Sequence, residues 1–126
     1  MKILDHGHLF EVDCYDGVHI QSPLTITYMK RMGPGYPGNT SAYPGTNCQE
    51  VIRSIIRRVQ YLDEQIHHRN NAEIIFHQRS SLYLFEERAA ERHGRRLPEL
   101  LRPSSPIEYL ETCKKCGHIT CPGGCR

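Results

Sequence analysis

Four cysteines close the sequence at a spacing that suits a metal ion. Cys113 and Cys116 form a Cys-x-x-Cys knuckle, and Cys121 and Cys125 follow within the next nine residues. Zn²⁺ binds four thiolate or imidazole ligands at the corners of a tetrahedron, and His118 is an alternative fourth ligand. Because four thiolates leave no open position on the metal, the pattern predicts structural rather than catalytic zinc. The alternative is a tail of reduced cysteines that binds no metal.

Arginines, an aromatic ring and an amide in the middle of the chain have the chemistry of a nucleotide site. Arg57 and Tyr61 are four residues apart, as are Arg88 and Arg92, so each pair shares one face of a helix. Guanidinium groups bind phosphate in a bidentate manner, and an aromatic ring stacks on a base. Asn71 lies where a second helix is predicted to begin, and free N–H groups at a helix N-terminus favour an anion.

The spacing of these residues leaves two interpretations. Glu87 and Glu91 lie beside the arginines, and a solvated, salt-bridged helix face explains the pattern without a ligand. Asn71 and Arg88 are 17 residues apart in the chain, which is roughly 25 Å along a helix. No small ligand spans that distance within one chain. A shared site therefore requires the arginines of a second protomer, and it predicts a symmetric homodimer with two pockets at its interface.

Two antiparallel helices between Asn47 and Gly94, joined by a short polar turn, would carry these residues. Asn47 with Glu50 is a capping-box pattern, and Asn70 or Asn71 is expected to cap the second helix. Gly94 suits the left-handed C-cap conformation. The spacing predicts a polar position at Gln60 and these buried positions: Val51, Ile52, Ile55, Ile56, Val59, Leu62 and Ile66 on the first helix, and Ile74, Ile75, Leu82, Phe85 and Ala89 on the second.

The first third of the chain predicts a small antiparallel sheet. Residues 10–14 alternate apolar with acidic side chains, which indicates a strand with one buried face that includes Cys14. Asp16-Gly17 is typical of a type I′ hairpin turn, so a return strand is expected at once. A further β-rich stretch follows Pro23.

Glycine and proline dominate residues 33–45, where no regular structure is expected. Tyr36-Pro37-Gly38-Asn39 and Tyr43-Pro44-Gly45-Thr46 repeat a turn pattern. The segment is either a crossover from the sheet to the helices or a binding loop in which Tyr36 or Tyr43 stacks on a base.

The end of the chain predicts a second region. A proline-containing linker leads to a helix start at Ser105-Pro106 and to a short helix that runs into Cys113. The sequence thus predicts an α+β chain. A small N-terminal antiparallel sheet and a two-helix antiparallel hairpin occupy residues 1–96, and a linker, a short helix and a zinc-binding tail occupy residues 97–126.

Composition places the chain among small folded domains. It has 126 residues, 38% of them hydrophobic, and a net charge of +2. This share of hydrophobic residues allows only a modest core, which favours self-association because an interface hides further apolar surface. The small net charge does not by itself indicate binding to nucleic acid. No stretch has the length and apolarity of a signal peptide or a membrane span, so we expect a cytoplasmic protein without membrane contact.

Motifs typical of enzymes are missing from the sequence. There is no nucleophile elbow, Walker loop or dinucleotide fingerprint. His67 and His68 fall in a turn where exposed histidines are ordinary, and His77 and His93 have no carboxylate spacing that predicts a proton relay. We therefore expect a binding protein rather than an enzyme. The alternative to nucleotide binding is a zinc-containing module that binds nucleic acid or protein.

The order of these features resembles a family of phage anti-defence proteins. A small N-terminal sheet, a Tyr-Pro-Gly-Asn loop and a helical hairpin that ends in Arg-Ala-Ala-Glu-Arg-His-Gly are similar to the phage sponges that counter the bacterial Thoeris system. The resemblance covers roughly residues 8–96 and leaves out the cysteine tail. It implies a protein that sequesters cyclic ADP-ribose isomers made by an activated TIR protein and performs no chemistry on them.

The resemblance also implies site residues and an assembly. The family's pocket lies between two protomers and uses an aromatic stack, an asparagine and two arginines four residues apart. Here these would be Tyr61, Asn71, Arg88 and Arg92, with Arg57 close by, and Tyr61 stands where the family pattern has a phenylalanine. Some members assemble as hexamers and bind cyclic trinucleotides at a second site, for which the candidates are Arg31, Gly33, Gly35, Tyr36, Gly38 and Asn39.

Overall fold

In a computed structural model, the chain divides into two units, Met1–Cys48 and Gln49–Arg126. The structure describes residues 1–17, 23–35 and 40–106. Short antiparallel strands make up the first unit and two long helices dominate the second, which confirms the predicted α+β class. No helix among the described residues is long and apolar enough to cross a membrane. The predicted short helix and zinc-binding tail after Pro106 lie outside the described residues.

Three strands form the first sheet. They pair antiparallel in the order β1-β2-β3, with the bounds β1 (Lys2–Asp5), β2 (Leu9–Val12) and β3 (Leu24–Thr27). β3 begins directly after Pro23, which has no N–H to contribute to a ladder. β1 was not predicted, because its sequence lacks a clear alternation of apolar and polar residues.

Two predictions about the first sheet have different outcomes. Val12 of β2 lies opposite Leu24 of β3, and the return strand predicted directly after Asp16-Gly17 falls on residues 18–22, outside the described residues. Cys14 is exposed and lies beyond the end of β2, so it is not a buried strand residue.

A second sheet occupies part of the segment that was predicted to lack regular structure. β4 (Lys30–Met32) pairs antiparallel with β5 (Thr40–Tyr43). β5 itself contains neither glycine nor proline, and the glycines and prolines of the segment lie before and after it. The local turn signals were therefore outweighed by strand pairing, which a reading of local sequence does not capture.

A carboxylate joins the two sheets. Oδ2 of Asp5, at the end of β1, accepts hydrogen bonds from Nζ of Lys30 at 2.9 Å and from the hydroxyl of Tyr43 at 2.7 Å. The ring of His8 packs edge-on against Tyr43. The Tyr43 hydrogen bond, followed by the Lys30 bond, lowers the pKa of Asp5. Burial and the bond to Asp5 raise the pKa of Tyr43 to about 12.

Gly45 permits a close approach between two stretches of backbone. The N–H of Thr46 donates to the carbonyl of Thr27 at 2.8 Å, and the N–H of Met29 donates to the carbonyl of Thr46 at 3.0 Å. A side chain at Gly45 would collide with backbone atoms of Tyr28 and Met29. The packing of this unit therefore requires glycine at this position.

The two helices form the predicted hairpin. α1 (Cys48–Gln65) begins directly after Asn47, and α2 (Arg69–Arg92) follows a turn of three residues. Gly94 has a φ of 67° and donates its N–H to the carbonyl of Glu91 at 3.1 Å, while Arg95 donates to the carbonyl of Ala90 at 2.8 Å. These two bonds form a Schellman motif, which confirms the predicted role of Gly94 at the end of α2.

The core of the hairpin is narrower than the apolar pattern predicted. It consists of Ile52, Ile56, Val59, Ile75 and Leu82, with Phe76 and Phe85 packed against it. The predicted buried positions Ile55, Leu62 and Ile66 are 38%, 41% and 80% exposed, and Ile74 is 40% exposed. Gln60, predicted to be polar surface, is buried. One neighbouring helix covers only part of a wide apolar arc, so the pattern overestimated what is buried.

Replacing Asp5 with Asn should destabilise the first unit at neutral pH, and this loss should fade in acid. Because folding lowers the pKa of Asp5, its carboxylate stabilises the fold above the ordinary value of 3.8, and the contribution disappears as the pH falls through the lowered value. The measurement is urea unfolding of the native chain and of Asp5→Asn, followed by the amide NMR signals of β1 and β4.

The difference between the two unfolding midpoints should be largest at neutral pH and should close as the pH falls through the lowered pKa of Asp5. Asp13→Asn is the control, because Asp13 lies 3.4 Å from the N-terminal amine in an ion pair whose members are both more than half exposed. Such pairs contribute little. A difference that persisted in acid would contradict the role given to the charge of Asp5.

Candidate functional site

The turn between the helices uses a histidine as its cap. The N–H of Asn70 donates to Nδ1 of His68 at 3.0 Å, so His68 is the N-cap of α2. The predicted caps, Asn70 and Asn71, are wrong, because they are the second and third residues of the helix. An imidazole nitrogen offers the lone pair that a cap oxygen usually supplies, and cap rules based on Ser, Thr, Asp and Asn do not include it.

Asp63, near the end of α1, gathers three contacts at one oxygen. Its Oδ1 accepts a hydrogen bond from Nδ2 of Asn71 at 2.8 Å and another from the N–H of His68 at 3.2 Å, and Nδ1 of His67 lies 3.0 Å away. The hydrogen bond from Asn71 is the largest cause that lowers the pKa of Asp63. Burial acts in the opposite direction and raises this pKa, while the bonds from His68 and His67 lower it further. Asn71, one of the predicted ligand residues, is thereby tied to α1.

Arg57 and Tyr61 lie on the other side of α1. Tyr61 is two residues from Asp63, so their side chains leave the helix about 200° apart and Tyr61 points away from Asn71. The ring of Tyr61 is 50% exposed, and the guanidinium of Arg58 lies 5.5 Å from its centre. Arg57 is exposed one turn earlier. The two predicted residues therefore share a face, but one protomer does not bring them together with Asn71.

Arg88 and Arg92 lie at the opposite end of α2 from Asn71. Both are exposed, and Arg92 is in the last turn of the helix. The guanidinium of Arg88 lies 5.8 Å from the centre of the Phe85 ring, a cation–π contact that holds it against the helix. Because α2 is continuous from Arg69 to Arg92, Asn71 and Arg88 stay roughly 25 Å apart within one chain.

Asn71 and the two arginines nevertheless follow one stripe along α2. Steps of three and four residues connect seven positions, which we name the α2 seam: Asn71, Ile74, Gln78, Ser81, Phe85, Arg88 and Arg92. This repeat is the one by which two helices pack side by side. All seven residues are half-buried or exposed. The α2 seam has an amide at one end, two guanidinium groups at the other, and the small Ser81 near its middle.

Polar residues inside the hairpin were missed by the sequence pattern. Arg79 is 6% exposed and Gln60 is 8% exposed. Arg53 of α1 binds Glu86 of α2 at 2.7 Å, and it also binds Glu50 at 2.8 Å. The signal was available: Arg79 lies four residues after Ile75 and Gln60 four residues after Ile56, so each falls on the buried face of its helix.

Arginine takes the place of lysine throughout the helical region. Residues 49–106 contain ten arginines and no lysine. Beyond α2, the guanidinium of Arg102 lies 5.9 Å from the centre of the Tyr83 ring. The flat guanidinium group matches phosphate oxygens in a bidentate manner, which the compact ammonium of lysine does not do.

The candidates for the second ligand site and for the metal site are only partly described. Arg31 lies in β4 and is exposed, and Gly33 and Gly35 follow it. Lying outside the described residues are Tyr36, Gly38, Asn39, Cys113, Cys116, His118, Cys121 and Cys125. Within the parts of the chain that the structure does describe, no group of three His, Cys, Asp or Glu side chains is placed to hold a metal ion.

No protein-family model, curated protein or solved structure matches the chain. The chemistry of the site therefore rests on its own residues. The α2 seam offers phosphate-binding groups at one end and an amide at the other, and these ends meet only when two protomers pack in opposite directions.

Replacing His68 with Ala should destabilise the hairpin by about 1 kcal/mol, because the N–H of Asn70 loses the acceptor that caps α2. His68→Asn should retain most of the stability, since a short amide oxygen accepts the same bond. The measurement is thermal and urea unfolding, in which the loss of helix is followed by circular dichroism at about 222 nm. Equal stability of the two variants would contradict the cap.

Proposed function

We propose that this chain is a phage anti-defence protein that binds and sequesters cyclic ADP-ribose-type signalling nucleotides in the host cytoplasm. It holds the nucleotide intact and thereby blocks Thoeris immunity. Cyclic oligonucleotides are proposed as ligands of a second site that includes Arg31. The observation that carries the proposal is the α2 seam, whose two ends supply complementary parts of a nucleotide site.

Antiparallel pairing of two α2 seams completes the site. When Ser81 of one protomer lies near Ser81 of a second, Asn71 of each chain falls beside Arg92 of the other, because both lie about ten residues from the axis. The small serine allows the helices to approach closely. Such a dimer has a two-fold axis and two equivalent pockets. The exposed Ile74 supports the pairing, since it would be covered there.

The ligand's parts match the side chains in the proposed pocket. Arg88 and Arg92 hold the pyrophosphate, Tyr61 stacks on the adenine and Asn71 bonds to a polar edge. Because Tyr61 and Arg57 lie on the side of α1 away from Asn71, they reach the pocket from a further protomer. This requirement favours a homo-oligomer larger than a dimer, such as a hexamer.

We also propose that the tail carries one structural zinc ion. Cys113, Cys116, Cys121 and Cys125 supply four thiolates, with His118 as an alternative ligand. Thiolates are the ligands that structural zinc prefers, and the ion would stabilise the tail without taking part in chemistry on the nucleotide.

Calorimetric titration with cyclic ADP-ribose isomers, followed by heat denaturation and analysis of the released ligand, tests the function. Tight binding with intact ligand recovered is the expected result. Recovery of a chemically altered ligand would show that the protein is an enzyme. Absence of nucleotide binding, with salt-dependent binding to DNA or RNA, would favour the zinc-containing nucleic-acid module instead.

Replacing Arg92 with Ala should weaken nucleotide binding about tenfold to a hundredfold, because a charge-assisted bond to phosphate is lost. Arg102→Ala is the matched control. It removes the same charge, but Arg102 lies outside the α2 seam against Tyr83. Titration calorimetry measures both. Equal losses from the two variants would contradict the pocket.

Mixing two variants that each bind the nucleotide weakly tests whether the pocket is shared. In a mixed dimer of Asn71→Ala and Arg92→Ala chains, one pocket carries both lesions and the other carries neither. Random assembly should therefore restore about one site in four. If the mixture recovered no sites of native affinity, Asn71 and Arg92 would not come from different protomers.

A further inference from the structure

We infer that Asp63 is a positioning residue that fixes the amide of Asn71, so that the site selects a base with an amino group, adenine, over a base with a carbonyl at the same place. The inference rests on the proposed nucleotide function and adds the chemical group that the site recognises. It follows from a contact within the described hairpin, between the end of α1 and the start of α2.

The chemistry of the contact determines which way the amide faces. An ionised carboxylate accepts hydrogen bonds and donates none. The Asn71 atom that lies 2.8 Å from Oδ1 of Asp63 must therefore be the amide nitrogen, whichever way the nearly symmetric amide is drawn. The amide oxygen is left on the other side of the group. No described residue donates a hydrogen bond to that oxygen, so it is available as an acceptor.

The surroundings of Asp63 keep the amide from turning over. The carboxylate has only 17% of its side chain exposed, and the N–H of His68 also donates to it at 3.2 Å. His67, with a ring nitrogen 3.0 Å from the same oxygen, is the other titratable group at this end of the hairpin that contacts Asp63. A flipped Asn71 would direct its oxygen at the carboxylate, which leaves two acceptors facing each other in a half-buried place.

An acceptor fixed in this way distinguishes two otherwise similar ligands. Adenine carries an exocyclic amino group that only donates, whereas hypoxanthine carries a carbonyl oxygen that only accepts. The riboses and the pyrophosphate are the same in the two ligands. A difference in affinity between them therefore reports on the Asn71 oxygen and not on the arginines. A mismatch of this kind is rejected strongly, because a polar group is left unpaired.

Titration calorimetry with the adenine form and the hypoxanthine form of one cyclic ADP-ribose isomer tests the inference. The native chain should bind the adenine form at least about tenfold more tightly. Asp63→Asn should reduce this preference severalfold, because an asparagine at position 63 can accept from or donate to Asn71 and so allows either orientation of its amide. Glu64→Gln is the matched control, since it removes the neighbouring negative charge and should keep the full preference.

Each outcome has a separate meaning. Equal affinity of the native chain for the two forms would overturn the inference and leave the proposed function standing. Failure of the native chain to bind either form would overturn the proposed function itself. A full preference retained in Asp63→Asn would show that Asp63 does not position Asn71. Helix content measured by circular dichroism checks that the variants fold. If Asp63 had only a structural role, Asp63→Asn would weaken the binding of both ligands equally and would not change the ratio of their affinities.

Discussion

The packing of α1 against α2 is the constraint on which the helical unit depends. Its core has five side chains, Ile52, Ile56, Val59, Ile75 and Leu82. Burial of each contributes about 1.5–3 kcal/mol. So small a core fixes the register of the helices with help from polar contacts at both ends, Arg53 with Glu86 and Asp63 with Asn71. That register decides which residues face outward, and hence what the hairpin can bind.

Local rules predicted what depends on neighbours in sequence and failed where distant contacts decide. The hairpin and the role of Gly94 followed from periodicity and backbone conformation, which act within a few residues. The strand β5 depends on pairing with β4, and the exposure of Ile55 and Leu62 depends on how much of α1 a single partner covers. His68 was missed as a cap because its imidazole replaces the expected oxygen.

The candidate site shows the same difference between features set by neighbours in sequence and features set by distant contacts. Spacing made Arg88 and Arg92 candidates, because residues four apart share a helix face, and Asn71 became a candidate through its predicted place at the start of α2. The α2 seam was hidden, since its members differ in chemistry and no apolar stripe marks it. Asp63 could not be recognised from the sequence, because its importance lies in a contact that forms only when α1 and α2 pack together. Spacing along one helix can be read from sequence, whereas a contact between two helices cannot.

The exclusive use of arginine in residues 49–106 has a practical consequence for studying this protein. Reagents that couple to primary amines react with lysine and with the chain terminus but not with guanidinium groups at neutral pH. The amines of this chain belong to Met1, Lys2, Lys30, Lys114 and Lys115, all of them outside the helical hairpin. Dyes, biotin or a sensor surface attached through amines would leave both helices unmodified, so the protein can be immobilised with its α2 seam chemically intact.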